Sequence, residues 1–422
     1  MIAVHILIFS SLLYLAVKIH GNNFLNTVAL SVVIGMLCFL MPAIFYVYDN
    51  KYINNHVENG FLDINLLFYI ESYFLAFILF SAKFYKIPAY QFNITRSNIY
   101  PALYIIFSLI TFKYGSYYLD VTNSAINNNK FISYSLALRG IFFILGLYVL
   151  TANKSKYTVY FILYYIIYTS FSGSKGGILF ALSFIVIYYF QDKKMFSFKS
   201  IKYYVLVFLT VPFLFYSVTM YRAIYQFKGD GKRADLSQTS YIKLAKLASD
   251  NFDIVDVYSQ ILTRADNISV MQMAYNQYND DDFLLGSVYE IIPNHFLPSV
   301  LFPEKVKFQK YYGTQLTEKI WGAKVGNTVI GLSPPVEAYI NFYFFGFLVG
   351  IVHGLIYNVL FQLLKNKRDN NFMIAYFSIL FFILSDGFLS TSLAIMLKDL
   401  VYLVIISSTI TFLVPRKKIR LY

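Results

Sequence analysis

The chain alternates long stretches that are apolar on every side with short polar connections. Runs such as YVLVFLTVPFLFYSV (204–218) carry no polar face at all. A barrel strand alternates apolar and polar residues, and these runs do not. Only helices and closed barrels satisfy their backbone in lipid, so the pattern predicts spanning helices of about 20 residues. Eleven are expected, at about 2–19, 26–48, 61–82, 99–114, 131–150, 157–171, 176–190, 201–220, 336–361, 372–388 and 392–414. The segment 2–19 has no basic start and no small-residue cleavage site, so it reads as a retained helix. One connection differs from the rest. Residues 221–335 are long and hydrophilic, which is uncommon without a functional reason. The stretch YIKLAKLASDNFDIVDVYSQIL (241–262) within it has helical periodicity. The chain therefore divides into helices one to eight (1–220), a large loop (221–335), and helices nine to eleven with a basic tail (336–422). The fold class expected is an all-α polytopic membrane protein with a large, partly helical exterior loop.

Composition agrees. Apolar residues reach 58% and charged residues only 14%, against about 25% in soluble domains. That excludes soluble, fibrous and disordered classes. The single cysteine, Cys38, excludes an intrachain disulfide.

The net charge of +13 is informative through its placement. Alternate connections, counted from the one after the first span, hold seventeen of the 35 basic residues, against only Asp192 and Asp369. The large loop balances its charges. Basic excess marks the cytoplasmic face, so the large loop is exterior and the C-terminus cytoplasmic. The charge thus records topology and calls for no nucleic-acid partner. A reporter fused after Tyr422 should be silent if it works only outside the cytoplasm, and activity there would overturn the orientation.

Candidate chemistry lies on the exterior side. SGSKGG (172–177) sets Lys175 among small residues, as a tight turn or as a backbone cradle for a phosphate oxygen. Arg222 follows the eighth span, either as a snorkelling anchor or as an anion ligand. Arg264, in QILTRADNISVM, reads as an anion ligand or as an ion-pair partner of Asp266 or Asp256. Arg139 stands about nine residues into the fifth span. An intramembrane arginine is a functional candidate by default; its alternative is a pair with Glu71 of the third span. In YEIIPNHFLPSVLFPEK (289–305) three prolines argue against a regular helix, and His295 sits among them with a structural or a titrating role. Glu337 and Asn341 lie four apart on one face at the outer end of the ninth span. They face a cavity beside the loop, or Glu337 is simply a helix-start carboxylate. NDDD (279–282) reads as a solvated turn. No metal-ligand spacing, G-x-S-x-G elbow or dinucleotide fingerprint occurs.

In order, the turn SGSKGG, the arginine of LTRADN, the run IIPNHFLPSVLFPEK and the span entry SPPVEAYINFYFFGFLVG resemble the O-antigen polymerase (Wzy-type, oligosaccharide repeat unit polymerase) family, from about residue 100 to the C-terminus. The span entry matches a pattern of small residues and proline, then E-x-Y-x-N-F, then G-x-x-x-G at Gly346 and Gly350. Where the family often has Ser-Arg-Gly, this chain has Ser174-Lys175-Gly176. Asn294-His295 stands where a basic residue often follows the first proline.

The resemblance implies a GT-C-like, multi-pass glycosyltransferase of the bacterial inner membrane. It would join repeat units carried on undecaprenyl pyrophosphate and release that carrier. No cofactor and no metal are implied. A chain-length regulator in the membrane is the further partner expected. The resemblance and the chemistry assign Arg222, Arg264, Lys175 and Arg139 to the pyrophosphate, Glu337 and His295 to acid–base work, and Asn341 to positioning the acceptor. An O-antigen ligase, a repeat-unit flippase or transporter and a membrane acyltransferase remain as alternatives. The chain shows neither the two similar halves usual in a flippase nor a histidine-centred catalytic motif in a span.

Overall fold

A computed structural model describes residues 1–22, 26–49, 62–82, 98–115, 130–171, 194, 197, 201–202, 205, 266–278, 283–296, 314–321, 332–364 and 389–413. Among these residues the chain is helical, with no strand. The membrane part comprises α1 (Ile2–His20); α2 (Thr27–Gly35), continued through a π-helical turn (Met36–Leu40) into α3 (Met41–Asp49); and α4 (Leu66–Ser81). It goes on with α5 (Ile99–Gly115), α6 (Lys130–Ala152) and α7 (Tyr157–Phe171). From the large loop come α8 (Asn267–Gln277), a 3-10 turn (Ser287–Glu290), α9 (Ile291–Phe296) and α10 (Thr314–Trp321). Then follow α11 (Pro334–Phe342), a 3-10 turn (Tyr343–Gly346), α12 (Phe347–Leu364) and α13 (Leu389–Leu413).

Among the described residues, three segments are long and apolar enough to cross a membrane: Ile2–His20, Thr27–Tyr48 and Pro334–Gln362. Shorter apolar helices cover Leu66–Ser81, Ile99–Thr111, Leu138–Ala152 and Tyr157–Thr169. Large apolar side chains such as Leu7, Leu109, Tyr160 and Val352 point outward. In water such a surface would be an association site; in a bilayer it is the lipid-facing wall. The expected spans at 176–190 and 372–388, most of 201–220, and the expected helix at 241–262 lie outside the described residues.

The tightest helix pair is α4 with α12. Three glycines at four-residue spacing, Gly346, Gly350 and Gly354, lie against Tyr69, Tyr73 and Phe77 of α4. An added Cβ would stand 2.5 Å from the Tyr69 hydroxyl oxygen, 2.5 Å from the Tyr73 carbonyl and 2.6 Å from the Phe77 carbonyl, respectively. Small residues let two backbones approach this closely where lipid supplies no hydrophobic drive. The matched residues ascend together, so α4 and α12 run parallel.

Polar bonds tie the other helices to this pair. His5 Nδ1 of α1 lies 2.9 Å from Glu71 Oε1 of α4, both buried, and His20 Nε2 lies 2.9 Å from Ser81 Oγ. Asn26 caps α2 by accepting from the Ala29 N–H, and its amide donates to the carbonyls of Ala16 and Gly21. That fixes the turn between α1 and α2. Thr27 is hydrogen-bonded to the Tyr357 hydroxyl. A second group forms from α5, α6 and α7 around an aromatic core of Tyr104, Phe143, Phe161 and Tyr165.

Two expectations change here. The ninth span is not one continuous helix. Tyr343 adopts φ 54° and ψ −142°, and this left-handed step breaks it at 343–346. The stretch after Tyr289 does contain a regular helix, α9, with Pro293 in its first turn, where helix amide groups lack an intrahelical acceptor and proline costs no hydrogen bond.

Candidate functional site

Residues 266–278 and 283–290 pack onto α11. Asp266 caps α8 by accepting from the Ser269 N–H at 3.1 Å and from its hydroxyl. The apolar face of α8, with Ile268, Met271 and Ala274 buried, rests on α11, α10 and the helix formed by α2 and α3. Gln272 Oε1 of α8 accepts the Asp63 N–H at 2.7 Å. The turn before Ser287 needs Gly286, at φ +87°, and lays the Leu284 N–H on the Ile340 carbonyl at 3.1 Å. Tyr289 stacks on Phe342, and α9 packs against α13.

Under this cover lies Glu337. Its side chain is fully buried, and its carboxylate oxygens accept the Ser390 N–H at 3.2 and 3.3 Å. The carboxylate therefore meets the amino end of α13, where free N–H groups and the helix dipole favour an anion. Asn341 is fully buried too. Its amide donates to the Glu337 carbonyl at 2.8 Å, and its Oδ1 has no hydrogen-bond partner among the described residues.

Two tyrosines flank the carboxylate, with a third behind them. Tyr73 and Tyr289 lie within its electrostatic reach, and Tyr69 lies within reach of both of them. The Tyr69 hydroxyl donates to the Pro335 carbonyl at 3.0 Å, and the Tyr73 hydroxyl lies 2.9 Å from His353 Nδ1. Tyr289 is outside the spans. Burial first, and then the Glu337 carboxylate, hold its phenol well above the usual tyrosine range. Its hydroxyl is buried without a hydrogen-bond partner among the described residues. At neutral pH it is thus an unspent proton-bearing group beside a carboxylate.

Glu337 and Asn341 are not among the residues that line the pocket nearest to them. That narrow pocket, of about 30 Å³, is walled by Ser333, Pro334 and Pro335 one turn earlier, with Tyr73, His353 and Asn267. The carboxylate turns instead to Ser390, because the start of α13 offers it N–H donors. Residues of the π-helical turn, Cys38 and Phe39, close the same pocket; such turns reshape a helix where a cavity must form.

Arg139 is not paired with Glu71. Glu71 binds His5, and Arg139 stands in the α5–α7 group bound to Thr111 and Tyr168. It is not among the groups gathered about Glu337. His295 lies within α9, the helix that packs on α13. Arg222, Arg264, Lys175 and the NDDD turn lie outside the described residues, although Arg264 precedes the α8 cap by only two positions. Tyr69, Tyr73, Tyr289, His353 and Ser390 were not singled out from sequence. Tyr69 and Tyr73 had one signal, a four-residue spacing that matches Gly346 and Gly350. Among the described residues no group of acidic, histidine and cysteine side chains is placed to hold a metal.

Comparison with protein families, with curated proteins and with solved structures found no match.

Proposed function

We propose that this chain is a glycosyltransferase that polymerises oligosaccharide repeat units carried on undecaprenyl pyrophosphate, in an eleven-span topology of the bacterial inner membrane. The observation that carries this reading is the Glu337 centre: a fully buried carboxylate at the outer end of a broken span, beneath docked loop segments, with an unspent phenol at its side. The resemblance of the surrounding sequence to the O-antigen polymerase family supports it.

In the reaction, an acceptor hydroxyl attacks the anomeric carbon of the donor sugar. The carbon–oxygen bond to the pyrophosphate breaks, and undecaprenyl pyrophosphate leaves. Glu337 takes the hydroxyl proton as general base, while Asn341 and Tyr289 hold sugar hydroxyls. His295 is the second candidate for the proton. Arg222, Arg264 and Lys175 neutralise the leaving pyrophosphate, where cations act most strongly in the transition state. With Glu337 sealed in, the cover formed by 283–296 has to lift before a sugar can enter. Purified protein supplied with one defined lipid-linked repeat unit should form oligomers; recovery of unchanged monomer alone would refute the reading.

The arginine roles have their own test. A lysine cannot make the planar two-bond contact of arginine with phosphate. Arg222→Lys and Arg264→Lys should therefore shorten the polymer and slow its synthesis, approaching the roughly 10²–10³-fold loss of one transition-state donor. Full activity in both lysine variants, at matched protein levels, would exclude a bidentate clamp.

The break at 343–346 also favours a second reading, since transporters bind substrate at interrupted spans. Deletion strains separate the two. Loss of a polymerase leaves single repeat units on the surface, and loss of a flippase leaves none.

A further inference from the structure

Ser333 and His353 each carry a buried polar atom that no described residue engages, and both line the same small pocket. Ser333 is the N-cap of α11, where a serine hydroxyl ordinarily accepts an N–H of the first turn. Here prolines open the helix, Pro334 and Pro335, and they have no N–H to give. Ser333 makes no side-chain cap bond, and its Oγ has no hydrogen-bond partner among the described residues. On α12, His353 Nδ1 lies 2.9 Å from the Tyr73 hydroxyl. The other ring nitrogen, Nε2, is also without a partner among the described residues. Ser333 is 4% exposed and His353 5% exposed, so neither is open to bulk water. Buried polar groups are almost always paired, with protein or with ordered water.

The pocket has the size and the lining for a water molecule. Its volume is about 30 Å³, and a polar site of roughly 10–15 Å³ already admits one water. Such a water needs at least two polar partners, and Ser333 Oγ and His353 Nε2 supply them. Ser31 and Asn267 line the pocket as well. The Ser31 hydroxyl donates to the Thr27 carbonyl at 2.9 Å, which leaves its lone pairs to accept. Among the described residues no charged side chain lines the pocket. A small neutral molecule therefore suits it better than an ion, and a sugar ring is too large. The chemistry of Tyr73 fixes the direction of the bonds. A phenol is a stronger donor than acceptor, so the Tyr73 hydroxyl donates to Nδ1. The proton of the neutral ring then sits on Nε2, because the bond at one nitrogen sets the tautomer at the other. That N–H points an unmet donor at the pocket.

We propose that this pocket is a binding site for one water molecule, which accepts from His353 Nε2–H and is hydrogen-bonded to Ser333 Oγ. The water ties the start of α11 to α12 across the break at 343–346, and through His353 to Tyr73 of α4. It also holds the tautomer that commits the Tyr73 proton to His353, although Tyr73 lies within electrostatic reach of the Glu337 carboxylate. The site stands whether or not the chain is a polymerase.

The test uses the purified full-length protein in lipid nanodiscs and reads no polymer. A high-resolution density map of wild type should show one peak in the pocket, within hydrogen-bond distance of both Ser333 Oγ and His353 Nε2. Nuclear magnetic resonance on protein with isotope-labelled histidine rings should find His353 neutral, with its proton on Nε2; its signals are those missing from His353→Gln. Ser333→Ala should lose the peak and shift the Nε2 resonance, whereas Ser333→Thr keeps the hydroxyl and should keep both. Tyr73→Phe should shift the Nδ1 resonance and retain the peak. A role of Ser333 in packing alone would leave the His353 ring signals of Ser333→Ala as in wild type. If the alanine variant does not fold, the wild-type map and tautomer decide by themselves. An empty pocket, a peak whose height follows the sodium concentration, a proton on Nδ1, or unchanged His353 signals in folded Ser333→Ala would each overturn the proposal.

Discussion

Gly350→Leu should leave almost no correctly packed protein. At this position even a Cβ would lie 2.5 Å from the Tyr73 carbonyl oxygen and 3.3 Å from the Ala76 Cβ. The obstacle is helix backbone, which cannot swing aside as a side chain can. Relief requires α12 to move away from α4 along a seam that includes Gly346 and Gly354. Overpacking a core costs about 1–3 kcal/mol when neighbours can adjust, so a leucine against a fixed carbonyl is expected at or above the top of that range. Gly140→Ala is the control. Nothing lies within 4 Å of its added Cβ, and removing a helical glycine is worth up to about 1 kcal/mol in stability. Size-exclusion profiles and thermal midpoints in detergent should show aggregation for Gly350→Leu and a profile unchanged or sharper for Gly140→Ala. A monodisperse Gly350→Leu protein with a wild-type midpoint would contradict the seam.

On the proposed polymerase function, Glu337→Gln should abolish polymer formation while the protein accumulates normally. The amide retains an oxygen that can accept the Ser390 N–H and fits the same buried volume, so the amino end of α13 stays capped. Only the charge and the proton-accepting capacity are removed. Loss of a general base costs roughly 10²–10⁴-fold in rate. Glu337→Ala behaves differently, because it also leaves the Ser390 N–H and the Asn341 surroundings unfilled, and its protein level should fall. The pair of variants therefore separates chemistry from architecture. Near-normal chain length in Glu337→Gln would leave Glu337 as a helix cap and nothing more.

The helices were legible because lipid imposes a simple rule on sequence: helix appears wherever an expected span falls within the described residues, and three of these segments are long and apolar enough to cross a membrane. Glu337 and Asn341 were singled out by their spacing on one helix face, and the glycine pair by the family resemblance. Their partners were not. Ser390 lies 53 residues from Glu337, and Tyr69 and Tyr73 lie more than 260 residues before it, so only tertiary packing brings them together. Arg139 shows the limit most plainly. Opposite charge suggested Glu71, yet the helices sort otherwise: α1 delivers His5 to Glu71, and α5 with α7 delivers hydroxyls to Arg139. The break at Tyr343 left no sequence signal either, since neither glycine nor proline stands at the left-handed residue.

The bond between His5 and Glu71 bears on how the chain enters the membrane. Synthesis runs from the first helix onward, so α1 is already in place when Glu71 emerges. An acidic side chain on a lone helix is disfavoured during insertion. His5 offers α4 a waiting partner 66 positions upstream, so α4 need not face lipid alone. The first helix can then serve as a built-in escort for α4.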